Sequence, residues 1–440
     1  MNRRDLMAAI AALGLAPAAR AFAAEGDLKS AAREAWIFAL PLIEMDQARG
    51  RTARGRPGAP AQKANTFGHA RFLATPANRA VTGPNNDTLY SSAWVDLTAG
   101  PVTLTVPPTG DRYISVQVMD MYTNTAAVLG TRTIGGEGGT FSLVGPGQPG
   151  SGADIVRVGT PHAWVLARTL VAGEADLPAV HAVQDGLILK GSELPTPAPG
   201  APRTAPAGDY FASAQALLAS DPPRPEDLAL FHRVRGLGLG PRAGFDAKRF
   251  TPEQMAQIEA GVAEARKLVM GLGGRGLIVD GWVYPRANLG DYGQDYLYRA
   301  MVAQGGLAAL TPSEAMYMRG RAPDGGLFDS GGTWKLGLPA RLPVDGFWSL
   351  TMYEATDDGQ FFLTENPIRR YAIGDRTPGL KRAADGSLDI WMSRADPGGD
   401  RTANWLPAPA KGLFSLTLRA YRPRPEFQDG RFRLPPVVAA

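Results

Sequence analysis

Residues 83–124 read GPNNDTLYSSAWVDLTAGPVTLTVPPTGDRYISVQVMDMYTN, and their spacing decides the fold. Apolar and polar side chains alternate with period two, as in half-buried strands, and Pro and Gly interrupt the run where turns must fall. The stretch returns in weaker form near the other end. Asp111, Tyr113, Ser115, Val116, Val118 and Asp120 align with Asp345, Phe347, Ser349, Leu350, Met352 and Glu354 at a constant offset of 234. Both copies follow a Pro-containing turn (Pro107-Pro108; Pro343) and end on a carboxylate. A second echo links Trp164–Arg168 with Ser415–Arg419. The expected class is α+β: two related antiparallel β-sandwich-like lobes joined by a helical middle segment.

The totals agree with that organisation. A chain of 440 residues exceeds one ordinary core, so two domains are expected. Glycine (53) and proline (37) are abundant and punctuate many short segments, which favours β architecture. The net charge of +4 is dispersed, and the only basic cluster is Arg49, Arg51, Arg54 and Arg56, so a nucleic-acid partner is not expected. The chain has no cysteine, which excludes disulfides, thiolate catalysis and iron–sulfur clusters. Its four histidines fall in no ligand spacing, so neither a metal nor a cofactor is expected.

Residues 1–23 read as an address. Arg3-Arg4 precede a short apolar run, Ala8 to Ala19, and then the small-x-small site Ala21-Phe22-Ala23. That is the pattern of a twin-arginine export signal, which implies a periplasmic destination. A soluble N-terminal helix is the alternative. No later segment has eighteen consecutive apolar residues, so no membrane span is expected after cleavage.

Residues 24–194 form the first lobe in this reading. They comprise a helix over Leu28–Gln47 with Pro41 inside it, a loop over Arg49–Lys63, and a short helix at Phe67–Thr75. Six strands between Leu89 and Val171 and a helix from Leu177 complete it. Residues 195–208, dense in Pro, Ala and Gly, form a linker. The helical middle, 209–320, holds helices at Tyr210–Leu218, Asp227–Val234 and Tyr292–Val302. Capping boxes at Thr251–Gln254 and Thr311–Glu314 open two more, the second reaching Met318. Residues 321–440 form the second lobe, with its best strands at Thr333–Leu338, Phe347–Glu354, Leu388–Met392 and Leu413–Tyr421 and a proline-rich surface tail.

Three constellations are candidates for chemistry. Asn85-Asn86-Asp87, with Tyr90 beyond, follows Gly83-Pro84 and opens a strand, so Asn86, Asp87 and Tyr90 can line a polar pocket. The competing reading is an Asx turn with Asp87 bonded to its own backbone. Asp120 and Glu354 end the two related strands; facing each other they could divide acid and base roles, and otherwise they are solvated strand ends. In Asp291–Arg299, helical spacing pairs Asp295 with Arg299 and Tyr292 with Tyr296, a wall for a sugar or carboxylate or a domain-packing face. The glycines of 271–276 follow a helix rather than a strand, so they are a helix stop and not a dinucleotide loop. Asp324, Asp329, Asp357, Asp358 and Asp385 lie in Gly-rich turns, but none matches an EF-hand loop.

At these residues the chain resembles two bacterial families. NNDTLYSSAWVDLTAGPVTLTVP with RYISVQVMDMYTN is similar to domain-of-unknown-function family 1254. VDGFWSLTMYEATDDGQFFLTENPIRRYAIGDRTPGL with NWLPAPAKGLFSLTLRAYRPRPE is similar to family 1214. The resemblance implies a two-domain, often exported cell-envelope protein of mixed helix and β-sandwich character, and it brings no catalytic residues to carry over. Asp357-Asp358-Gly359-Gln360 departs from it, being longer than the usual turn after that strand.

Three functional expectations follow. The first is a small polar ligand, a carbohydrate or an organic acid, bound in an inter-lobe cleft by Asn86, Asp87, Tyr90, Tyr122, Tyr298 and Arg299, with Asp120 and Glu354 nearby. The second is a metal-independent hydrolase or lyase with Asp87 as base and Tyr90 or Tyr122 as acid. The third is a structural envelope module with no ligand. The sequence gives no oligomeric state.

Overall fold

The computed structural model describes residues 27–54, 61–79, 81–271 and 276–440. The expected export signal at 1–23, part of the Arg-rich loop and most of the glycine stop at 271–276 lie outside the described residues.

Helix α1 (Asp27–Ala53) is the spine of the molecule. Ala31, Ala32, Ala35, Trp36, Phe38, Leu42 and Met45 together cover more than one face, and a helix that is apolar most of the way round must be enclosed. Among the described residues the other α-helices are α2 (Leu177–Asp185), α3 (Ala207–Ser220), α4 (Leu228–Arg233), α5 (Pro252–Met270), α6 (Tyr296–Gly305) and α7 (Pro425–Gln428). The core around α1 draws on α3, α4, α5 and α6. The expected capping box opens α5: Thr251 Oγ1 accepts from the Gln254 amide, and the Gln254 side chain accepts from the Thr251 amide. Helix α1 also runs through Ala53, so Arg49, expected in a loop, is buried and paired with Asp46 at 2.9 Å.

The longer strands of the first lobe are β1 (Thr88–Asp96), β2 (Val102–Val106), β3 (Ile114–Asp120), β4 (Thr125–Gly130), β5 (Gly139–Val144) and β6 (His162–Leu170). Its large sheet runs β1-β6-β3-β4, with Gly68–His69 on the outer edge of β1. Its small sheet runs from Ile155–Arg157 through β5 and β2 to Ile188–Lys190. The second lobe has β7 (Ala315–Gly320), β8 (Trp334–Leu338), β9 (Trp348–Ala355), β10 (Leu388–Ser393) and β11 (Leu413–Tyr421). There the large sheet runs β7-β11-β9 with Ala372–Gly374 on β9, and the small sheet runs from Trp405–Pro407 through β10 and β8 to Val438–Ala439.

The two lobes therefore repeat one topology in the same chain order, with Trp282–Tyr284 beside β7 in the place of Gly68–His69 beside β1, while the second large sheet adds Leu277–Val279, Phe328–Asp329 and Phe361–Phe362. Even the exception repeats: in each small sheet one short edge strand pairs parallel while the rest are antiparallel. Between the sheets of the first lobe lie Val95, Val102, Leu104, Ile114, Val116 and Val165, and a matching core fills the second lobe. The opposite face of the first large sheet is covered too, since Trp94, Met119 and Leu166 belong to the helical core. This double coverage explains why all seven residues of β3, including Ser115 and Gln117, are buried.

Several expectations change. Phe67–Thr75 contains a two-residue strand and turns rather than a helix, because the Ala70 amide donates to the Tyr90 carbonyl and ties the segment to β1. The Thr311–Glu314 capping box opens no helix. The side chain of Glu314 is drawn away to Tyr113 and Arg132, and Ala315–Gly320 pairs with β11 along its whole length. The second lobe thus takes in strands that the division at 321 leaves in the helical middle. The C-terminal tail is not a surface strap: Phe427, Leu434 and Val437 are buried in the second core. Among the described residues no helix is long and apolar enough to cross a membrane.

Candidate functional site

The large sheets carry the same four-residue row. In the first lobe Tyr90, Arg168, Ser115 and Gly130 lie side by side on β1, β6, β3 and β4. In the second, Tyr317, Arg419, Ser349 and Gly374 take the same places. Each glycine then begins an identical turn, Gly-x-Arg-Thr, in which the glycine amide donates to the threonine hydroxyl: Gly130 to Thr133 at 3.0 Å and Gly374 to Thr377 at 2.9 Å. The chain passes so close to the neighbouring strand that an added Cβ would lie 2.1 Å from the Ile114 carbonyl oxygen at Gly130 and 2.3 Å from that of Trp348 at Gly374. Only glycine fits there.

These turns aim one arginine from each lobe at the other. Arg132 of the first lobe reaches Glu314 of the second at 2.6 Å, and Arg376 of the second reaches Asp87 of the first at 3.5 Å. Asp87 and Glu314 are themselves equivalent, each three residues before the tyrosine of its row. Each carboxylate takes a hydroxyl hydrogen bond from the opposite lobe: Ser349 donates to Asp87 at 2.6 Å and Tyr113 to Glu314 at 2.9 Å. Where the halves meet, the aligned residues Tyr113 and Phe347 touch edge to face at 5.4 Å, and Tyr421 stacks on Phe347 at 4.1 Å. The lobes thus face each other about a pseudo-twofold axis with exchanged ion pairs. Asn85 turns the corner at the seam by accepting from the Asp87 amide at 2.7 Å and donating to the Tyr421 hydroxyl at 2.9 Å. The Asx turn is real, but its acceptor is Asn85, and that frees the Asp87 carboxylate to cross the seam.

Arg168 and Arg419 differ from the paired arginines. Both are buried and neither forms an ion pair within 4 Å among the described residues, although Asp87 acts on Arg419 from farther away. Neutral acceptors hold them. Arg168 donates to Gln117 at 3.1 Å and to the Ala308 carbonyl at 2.5 Å, while Arg419 donates to Thr351 at 2.8 Å and to the Tyr353 hydroxyl at 2.6 Å. Tyr90 and Tyr317 lie beside them, partly exposed. Burial pushes the Tyr317 hydroxyl upward, and the charges of Arg168 and Arg419 both pull it back, so both cations act on this one hydroxyl.

The remaining candidates gather elsewhere. Asp120 closes the turn after β3, accepting from the amides of Tyr122 (2.9 Å) and Asn124 (2.8 Å), and burial raises its carboxyl above the usual range. Tyr122 donates to the Asp221 carbonyl at 2.8 Å, and burial pushes its hydroxyl far up. Tyr122 packs against Arg299, which is fully buried in α6, and Asp120 acts on it electrostatically. Its guanidinium carbon lies 4.9 Å from the ring centre of Phe38, 5.1 Å from Tyr296 and 5.4 Å from Tyr122. Burial lowers its affinity for the proton, with Asp227 and Asp120 opposing that. Asp295 pairs with Arg286 and caps α6, not with Arg299, because α6 starts at Tyr296 and Asp295 lies outside it. For the same reason Tyr292 meets Tyr298 rather than Tyr296.

Asp87 and Tyr90 are thus at the seam, whereas Asp120, Tyr122 and Arg299 sit under the helices. Asn86 donates to the Ala74 carbonyl at 2.6 Å, and Tyr298 accepts from the Arg286 amide at 3.1 Å. Asp120 and Glu354 do not face each other: Glu354 pairs with Arg79 at 2.6 Å. Two surface depressions of about 590 and 430 Å3, one beside Ala126–Leu129 and Arg157, the other beside Trp391 and Arg401, lie away from both clusters. Among the described residues no three His, Asp or Glu side chains converge as a metal would require. Sequence reading missed Arg132, Glu314, Tyr317 and Arg376. The paired strings DTLY/EAMY and GTRT/GDRT were the signals for them.

Residues 64–191 match the family described as Protein of unknown function (DUF1254), and residues 314–425 match Protein of unknown function (DUF1214). No curated protein matches the chain. The crystal structure of the VPA0106 protein from Vibrio parahaemolyticus is similar in fold: 24% identity, TM-score 0.69, covering 94% of this chain and all of that one. A putative uncharacterized protein from Burkholderia cenocepacia covers 94% of this chain and 95% of its own at 14% identity, but its TM-score of 0.44 carries no argument. The chain belongs to the proteins that join a DUF1254 domain to a DUF1214 domain, in that order.

Proposed function

We propose that this is an exported, periplasmic binding protein that holds a small organic acid, with two carboxylates, at the seam between its lobes. One observation carries the reading: Arg168 and Arg419 are buried at equivalent positions with no carboxylate partner. Neutral acceptors take their hydrogen bonds; Asp87 acts on Arg419 only from beyond ion-pair distance and is itself paired with Arg376, and a buried cation with no carboxylate in contact favours an incoming anion. Two such cations related by a pseudo-twofold axis suit a ligand with two anionic ends. Tyr90 and Tyr317, partly exposed beside them, supply hydroxyls and ring faces. A carbohydrate would leave the charge uncompensated. Support for export is the Arg3-Arg4 signal pattern.

The test is calorimetric titration of the mature protein with succinate, malonate and glucose. Saturable heat with a dicarboxylate, weakened in Tyr317→Phe and in Tyr90→Phe, supports the reading. Heat with glucose alone, or with none of the three, overturns it. Export is tested by fractionating cells that carry Arg3→Lys/Arg4→Lys; retention of that variant in the cytoplasm is expected, and undisturbed export would contradict the twin-arginine route.

A further inference from the structure

Arg299 presents a problem that the seam does not explain. It is fully buried, and its Nε, Nη1 and Nη2 all lack a hydrogen-bond partner in the protein. The rings of Phe38, Tyr122 and Tyr296 attract its charge through their faces. They offer nothing to the N–H groups that lie in the guanidinium plane. Buried donors left in that state are costly, and a fork of three nitrogens matches a carboxylate.

The opposite polarity stands nearby. Asp227 is also fully buried; its Oδ1 accepts from the Tyr296 hydroxyl at 2.8 Å, while its Oδ2 has no hydrogen-bond partner. Arg224 Nε stands 3.8 Å from that Oδ2, too far for a hydrogen bond, and is itself unpartnered. Asp227 and Asp120 both act electrostatically on Arg299, so these groups share one locality.

We infer that Arg299 and Asp227 form a second ligand site, enclosed between α6 and the turn after β3, for a small carboxylate that also carries a hydroxyl or amine. The carboxylate takes the Arg299 fork, and the hydroxyl or ammonium donates to Asp227 Oδ2. Local charge narrows the class further. Arg299 and Arg224 balance Asp120 and Asp227, so a monoanion or a zwitterion is accommodated where a dianion would meet two carboxylates. Arg224, with its side chain 28% exposed and Nη2 donating to the Gly293 carbonyl at 3.1 Å, is the member of this group nearest to solvent.

The experiment is calorimetric titration of the full mature protein with glycolate and with glycine, using acetate and sulfate as controls, followed by a crystal structure grown with whichever binds. Saturable binding of glycolate or glycine, tighter than acetate and absent for sulfate, is expected, with density between Arg299 and Asp227. Asp227→Asn, which keeps the shape, should weaken glycine on the order of tenfold or more. Arg299→Met should abolish binding; if that variant fails to fold, the wild-type crystal structure decides. No heat with either compound, or density for water alone bridging Arg299 to Asp227, overturns the inference. Tyr317→Phe at the seam must leave this binding unchanged, which separates the outcome from that of the dicarboxylate titration.

Discussion

Replacing Tyr113 by Phe removes a single oxygen and tests the exchanged contacts between the lobes. Tyr113 and Glu314 are 3% and 1% exposed, and the hydroxyl reaches the carboxylate at 2.9 Å. The second lobe already carries Phe347 at the aligned position, so the ring itself is compatible with the seam. A hydrogen bond to a buried carboxylate contributes roughly 1.5–3 kcal/mol, and Arg132, being partly exposed, compensates only in part. Tyr113→Phe should therefore cost about 2 kcal/mol. With Glu314→Gln as background the acceptor is neutral, and the same change should cost about 1 kcal/mol, which leaves a coupling on the order of 1 kcal/mol. Urea unfolding of all four proteins, followed by fluorescence and circular dichroism so that a split transition is detected, measures it. Additivity within about 0.5 kcal/mol would refute the claim that these two side chains join the lobes.

Other outcomes follow from the same geometry. Gly130→Ala and Gly374→Ala should each destabilise by more than about 2 kcal/mol in urea unfolding, since both place a Cβ against a strand carbonyl; tolerance of either would contradict the repeated close approach. Phe38→Ala should cost about 3–5 kcal/mol by removing a buried ring that Tyr122, Phe231 and Tyr296 all contact. The Arg112 guanidinium, hydrogen-bonded to Asp176 at 2.6 Å, holds that carboxyl below its ordinary range. The unfolded chain then binds the proton first, so this contribution is complete above about pH 4 and is lost as pH falls through the depressed native value. Asp176→Asn should flatten the acid limb of the melting-temperature profile, and an unchanged limb would count against the pair.

How much of this was legible in the sequence depends on what each signal encodes. Alternation in Leu89–Leu97 and Leu413–Tyr421 marks strands because every second side chain must enter a core, and both strands are present. The offset between Tyr113–Asp120 and Phe347–Glu354 exposed the duplication, because equivalent strands keep their register. Ala315–Gly320 was lost to a local signal: Thr311 and Glu314 resemble a capping box, but pairing with β11 and the pull of Arg132 and Tyr113 override it. The candidate residues divided for a similar reason. Asp87 and Tyr122 lie in one motif-rich stretch, yet the two ends of that stretch serve different layers, the seam and the helical core. No spacing rule reveals which opposite-lobe residue a carboxylate will meet. The exchange of Arg132 and Arg376 becomes visible only once the two Gly-x-Arg-Thr turns are seen facing each other.

The most direct measurement is a crystal structure of the mature protein grown with succinate. A seam built to receive a two-headed acid predicts one carboxylate near Arg168 and Tyr90 and the other near Arg419 and Tyr317. Succinate absent from the seam at saturating concentration, with Arg168 still held only by Gln117 and Ala308 and Arg419 only by its own lobe's hydroxyls and Gly83, would contradict it.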